Sequence, residues 1–187
     1  MTAPSGMLLQ GVNVDVWWIL GRCITLAEHL LGPRDPSFTP LGVHLSDFDQ
    51  PCLSFPPSGT KQVLVNLGRG AGPLNAQYQI AHEAVHLLNP VQGMASVLEE
   101  GLAVWIVGAY CAQDLPGYDP GPLPPAYADA LALVQPLLGD LTPLREWRAA
   151  HPGRGLTDLT TAELRGLYPD LRAEDATALT ARHVNRP

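Results

Sequence analysis

Apolar positions along this 187-residue chain recur at two spacings. Over residues 12–31 they return at helical intervals through Val16, Ile19, Leu20, Cys23, Leu26, Ala27 and Leu30, and Gly32-Pro33 then stops the run. A first helix is predicted there. Residues 33–60 carry short β-like pieces at 43–45 and 52–55, set among Pro, Asp and Ser, which predicts a hairpin or meander. Gln62–Leu67 alternates, with Val63, Val65 and Leu67 on one face and a glycine-rich turn at 68–72 behind it, and reads as a strand. Pro73 suits the first turn of a helix, where its missing N–H is no loss. That helix runs through Tyr78, Ile80, Ala84, Val85, Leu87 and Leu88 to Asn89-Pro90. A further helix over 94–112 is apolar nearly all round, so it is expected at the centre of the fold. After a proline-rich connection at 115–125 come helical pieces near 126–138, 143–150, 161–167 and 173–184, with Thr160 and Glu163 at capping-box spacing.

Composition narrows the class. The chain is 46% apolar and long enough to fold around a core without staples. Cys23, Cys52 and Cys111 are odd in number and widely spaced, with no CxxC pair, and read as reduced thiols. The formal charge of −7, with Lys61 the one lysine, supplies no basic stripe, so nucleic acid is excluded as a partner. The longest apolar stretch, 101–112, falls short of the roughly 18–20 residues a bilayer needs, so no membrane partner is expected. Asp15 precedes the apolar residues 16–20 and the first basic residue is Arg22. That pattern does not suit a signal peptide, and a cytoplasmic protein is expected.

The motif with a strong chemical reading is His82-Glu83-Ala84-Val85-His86, in the middle of a predicted helix. Residues four apart share a helix face, so both imidazoles can reach one ion, and Glu83 flanks that face within reach of the ion's water. Six histidines and seven glutamates produce such a motif by chance in about one chain of this kind in a hundred, so a third ligand is needed to make the case. Glu99 and Glu100 lie in an otherwise apolar segment, and carboxylates are rarely buried without a partner. A divalent ion would supply that partner. Two histidines and one carboxylate leave a fourth tetrahedral position for water, the arrangement of a catalytic zinc site. The competing reading starts the helix at Glu99 and leaves both carboxylates in solvent, where the helix dipole favours them. Glu99 is expected in that setting and Glu100 at the ion.

HEAVH followed, after thirteen intervening residues, by the glutamate of EGLAVW resembles the gluzincin branch of the zincin metallopeptidases. The resemblance covers roughly residues 60–112. It implies that the two motifs lie on consecutive helices, that His82, His86 and Glu100 bind zinc, and that Glu83 is the general base. It also implies that strand 62–67 takes the place of the sheet edge along which such enzymes lay an extended peptide. The fold it implies is α+β and zincin-like, a small sheet packed on the two motif helices with additional C-terminal helices. One domain over 1–187 is expected, with the N-terminal helix, sheet and zinc-binding helices in 1–112, a loop at 113–125 over the site, and a helical part at 126–187.

The pattern departs from thermolysin-like enzymes at Val104, where they carry an acid that orients a histidine. Asp114, Asp119, Asp129 or a backbone carbonyl is expected to replace it. Tyr110, Tyr118, Tyr127 and His151 are the candidates for stabilising an oxyanion, and Tyr127, at the start of a helix beyond the proline-rich loop, is selected. His29, His44 and His183 read as ordinary polar residues, His44 having the one chance of lying near the cleft. Trp17, Trp18, Trp105 and Trp147 read as core anchors, and Arg145, Arg148 and Arg154 as a solvated face around His151.

The expected reaction is zinc-dependent hydrolysis of a peptide or protein substrate. Zinc lowers the pKa of its water toward about 7, and Glu83 takes the proton and returns it to the departing amine. The net charge leans toward cationic or neutral peptides. The alternatives are an inactive zincin-fold binding or regulatory module, and a helical protein with an accidental HExxH.

Overall fold

A computed structural model describes residues 6–57 and 60–184. The outer ends of the 1–187 domain reading, and positions 58–59 of the 33–60 stretch, lie outside them. The chain opens with a hairpin, β1 (Gly6–Leu9) and β2 (Val12–Asp15), where a helix was expected from residue 12. The apolar spacing there fits either element, but Gln10 and Gly11 both take positive φ, 47° and 83°, the geometry of a tight two-residue hairpin turn. Asp15 then caps α1 (Val16–Leu31), accepting from the Trp18 N–H.

The main sheet holds β3 (Thr39–Leu45), β4 (Cys52–Ser54) and β5 (Gln62–Leu67) in the order β3-β5-β4. β3 runs parallel to β5 and β4 antiparallel, with Val43 and Leu53 flanking Val65. The expected hairpin or meander is therefore corrected, because β3 and β4 do not pair and β5 enters between them. The alternation explains the choice. Val63, Val65 and Leu67 are fully buried, and the most apolar strand takes the centre, where both its edges are paired and its face is covered. β5 is thus not the edge strand that the resemblance implied.

Pro73 opens α2 (Pro73–His86), and Ser96 caps α3 (Val97–Asp114), accepting from the Glu99 N–H. Then follow α4 (Pro125–Val134), α5 (Thr142–Ala150), α6 (Thr161–Leu167) and α7 (Ala173–Thr180). The fold is α+β, and no helix among the described residues is long and apolar enough to cross a membrane. Buried side chains form two clusters. One lies among α1, the sheet and α2. The other joins α2 and α3 to the C-terminal helices. At Gly101 α3 and α4 approach closely, since a Cβ there would run into the Ala130 carbonyl and the Val134 side chain of α4.

Two groups of residues depart from expectation. Trp105 and Trp147 are at least partly buried in the second cluster, but Trp17 and Trp18 are exposed. They sit on the outward face of α1, Trp17 lying across Gly42 of β3 and Trp18 under the Arg22 guanidinium, 5.1 Å from its ring centre. Arg148 is buried, not solvated. Its guanidinium donates to the carbonyls of Leu31, Gly32, Pro33 and Leu88, tying the end of α1 to the chain after α2. Arg145 is exposed, and Arg154 pairs with Glu163. The three cysteines are free thiols, and burial pushes that of Cys23 up to about 12.

Candidate metal centre

His82 and His86 lie one turn apart near the end of α2, and Glu100 lies in the first turn of α3. The start of α3 is set by Ser96, so the helix begins three residues later than the apolar pattern suggested and turns its first acids inward. His82 Nε2 and His86 Nε2 are 3.3 Å apart. Glu100 Oε2 is 3.2 Å from His82 Nε2, and Glu100 Oε1 is 3.7 Å from His86 Nε2. Ligands at 2.0–2.1 Å around a tetrahedral ion lie about 3.3 Å from one another, and one ligand atom from each of the three residues lies within 4.8 Å of the other two, close enough for the three side chains to share one ion.

The chemistry of the donors fits as well. Glu100 is 8% exposed, and its Oε2 is buried with no hydrogen-bond partner, the His82 ring nitrogen being its ion-pair neighbour. An orphaned carboxylate oxygen costs free energy unless a cation meets it. Burial alone would raise the Glu100 pKa, but the rings of His86 and His82 hold it far below the ordinary carboxylate range. Burial opposes charge on His86 too, yet Glu100 and Glu99 raise its pKa well above the usual value. His82, His86 and Glu100 form a buried to half-buried group that could hold a metal ion.

Glu83 is buried beside them, and burial raises its carboxyl pKa while His86 and His82 pull against the rise. All four residues line a cavity of about 520 Å3. One wall is the segment from Phe48 through β4, the other is Val91–Ala95, and Tyr127 closes a side. Tyr127 packs edge-on against His82, ring centres 5.7 Å apart. On its other side lies His183, at 5.0 Å. A second cavity of about 160 Å3 opens beside His82, walled by Pro51, Val104, Leu123, Pro124 and two tyrosines together with the amides of Gln50, Asn75 and Gln79. The proline-rich loop thus supplies a wall next to the site through Leu123 and Pro124.

The other expectations are corrected. Glu99 is not in solvent: it is 3% exposed and accepts from His86 Nδ1 at 2.8 Å and from the Thr157 hydroxyl at 2.7 Å. It therefore supplies the carboxylate contact to a ligand histidine that Asp114, Asp119 or Asp129 was expected to give. Asp114 pairs instead with Arg22, Asp119 accepts from the Gly121 N–H, and Asp129 is exposed. Among the oxyanion candidates, Tyr110 bonds Gln77 in the core, Tyr118 packs on Tyr78, and His151 stacks on Trp147. His44 is exposed on β3, across β5 from β4, and His29 is exposed on α1.

Sequence reasoning missed Glu99, Thr157 and His183. Ser96 and Glu99 have capping-box spacing, a signal that would have put Glu99 in the first turn. Thr157 and His183 carry no local signal. His183 reaches the site because the chain after α7 pairs with the start of α3, through the Ser96–Arg182 bridge and the His183 N–H to Ala95 carbonyl bond of 2.8 Å. No family model, curated protein or solved structure matches the chain.

Proposed function

We propose that this chain is a zinc-dependent metallopeptidase of the zincin type. The observation that carries the reading is the convergence of two imidazole nitrogens and an orphaned carboxylate, at ligand spacing, beside the buried acid Glu83 on the floor of a cleft. Zinc held by His82, His86 and Glu100 would polarise a carbonyl and bring the pKa of its water from about 15.7 to about 7. Glu83, whose pKa burial raises, takes a proton at its carboxylate and later delivers it to the departing amine nitrogen, so one group acts as base and then acid. Tyr127 stands beside His82 and can donate its hydroxyl to the charge that develops on the carbonyl oxygen.

The cleft suits an extended peptide. β4 is an edge of the sheet and forms part of the cleft wall, so its outward backbone groups can pair with a substrate strand. β5, bonded on both sides, cannot. The pocket beside His82, lined by apolar side chains and amides with no carboxylate, lysine or arginine, favours an uncharged side chain next to the scissile bond.

The alternative of an inactive binding module drew on Val104, and Glu99 now makes the carboxylate contact to His86. Turnover of a peptide library by protein with measured metal content decides between the two. Glu83→Gln is expected to retain one zinc per chain and lose hydrolysis by about 100-fold or more, while His86→Ala loses both. Wild-type protein that holds zinc and cleaves nothing would support the binding module.

A further inference from the structure

The start of α3 departs from an ordinary helix cap in a way that points at the metal site. In a capping box the helix-start hydroxyl accepts from the N–H three residues on, and the acid at that position reaches back to the first N–H. α6 closes such a box, with Thr160 accepting from the Glu163 N–H and the Glu163 carboxylate accepting from the Thr160 N–H. At α3 only half of it forms. Ser96 Oγ accepts from the Glu99 N–H at 3.3 Å, but the Glu99 carboxylate turns away toward His86. The abandoned Ser96 N–H goes to Thr157 Oγ1 at 2.8 Å. Thr157 lies in a 3-10 turn, Leu156–Asp158, of the C-terminal half.

Proton positions follow from the partners. Ser96 N–H can only donate, so the Thr157 hydroxyl accepts there and sends its one proton to Glu99 Oε2. Glu99 Oε1 then takes the proton on His86 Nδ1. With Nδ1–H committed to Glu99, Nε2 is the nitrogen left to face His82 and Glu100, and its lone pair is the one a metal would take in place of a proton. Ser96, Glu99 and Thr157 are all buried, so water does not compete for these bonds.

We propose that Glu99 and Thr157 are positioning residues that hold His86 in the Nδ1–H tautomer, so that metal affinity depends on a hydroxyl supplied by the C-terminal half. The proposal rests on the reading that His82, His86 and Glu100 take a metal, and its test separates the two. Zinc affinity is measured by chelator competition on wild type, Glu99→Gln, Thr157→Val and Thr157→Ser, with folding of each checked by circular dichroism. Loss of such outer contacts weakens metal binding by about 10–100-fold, so Glu99→Gln and Thr157→Val should fall in that range. Thr157→Ser, which keeps the hydroxyl, should bind within about twofold of wild type. A purely structural role would lower the melting temperature of Thr157→Val and leave zinc affinity unchanged, and that result would overturn the proposal while the metal site stands.

The second readout needs no metal. In 15N-labelled metal-free protein, His86 should show a slowly exchanging Nδ1–H resonance that Thr157→Val weakens and Thr157→Ser restores. Its absence in the wild type would overturn the relay. Its presence in a protein that binds no zinc would overturn the metal site and leave the relay in place.

Discussion

Glu83, Glu99 and Glu100 are all buried, yet each meets different partners and takes a different role from them. Glu100 faces two imidazoles and keeps one oxygen unmatched, the condition of a ligand. Glu99 has both oxygens engaged, by a ring nitrogen and a hydroxyl, the condition of a support. Glu83 has its pKa raised by burial, with His86 and His82 pulling against the rise, the setting of a group that can take up and return a proton. Residue identity alone separates none of these, and adjacent Glu99 and Glu100 differ only in direction along a helix turn. Tyr127 lies edge-to-face with His82 and is not among the three residues that could hold the ion. Tyr127→Phe is expected to lower kcat by about 10–100-fold, at or below the loss seen when one oxyanion donor is removed elsewhere. Zinc content should be unchanged. Steady-state kinetics with a metal assay checks it, and an unaltered kcat would remove Tyr127 from the catalytic set.

The contact between α3 and α4 places Tyr127 at the site, and Gly101 permits it. Alanine in place of glycine inside a helix ordinarily stabilises by about 0.8–1.0 kcal/mol. At Gly101 the added methyl would meet the Ala130 carbonyl and Val134, and overpacking of that kind costs about 1–3 kcal/mol. Gly101→Ala should therefore destabilise in urea unfolding, whereas Gly108→Ala, on the same helix with nothing near its missing Cβ, should stabilise. Equal effects at the two positions would contradict the close approach. Helices with a local stop or cap were legible: Thr160 and Glu163 fix α6 at 161–167, and Pro73 fixes the start of α2. The start of α3 was misplaced because apolar residues before Ser96 continue the periodicity, while the cap bond that ends it is polar. The hairpin before α1 was missed for a related reason, since Val12 and Val16 are four apart as on a helix face while Val12 and Val14 alternate as on a strand, and the deciding turn is Gln10-Gly11.

Across the whole molecule, the candidate metal centre sits on α2 and α3, and α2 contributes to both buried clusters. The motif residues His82, Glu83, His86 and Glu100 were legible because their spacing is local to two helices. Strand order was not, because pairing β3 and β4 to opposite edges of β5 depends on contacts between segments distant in sequence. Nor were Thr157 and His183, which reach the site only through the return of the chain after α5 and α7. Exposed Trp17 and Trp18 mislead in the opposite direction, since their size alone suggests a core. The central claim is that three atoms from two helices hold one ion. Anomalous diffraction at the zinc edge, on crystals of protein purified without chelator, tests it most directly. The account predicts one peak per chain, about 2.0–2.1 Å from His82 Nε2, His86 Nε2 and a Glu100 carboxylate oxygen. A map with no peak between those three side chains, from crystals grown with excess zinc, would contradict it.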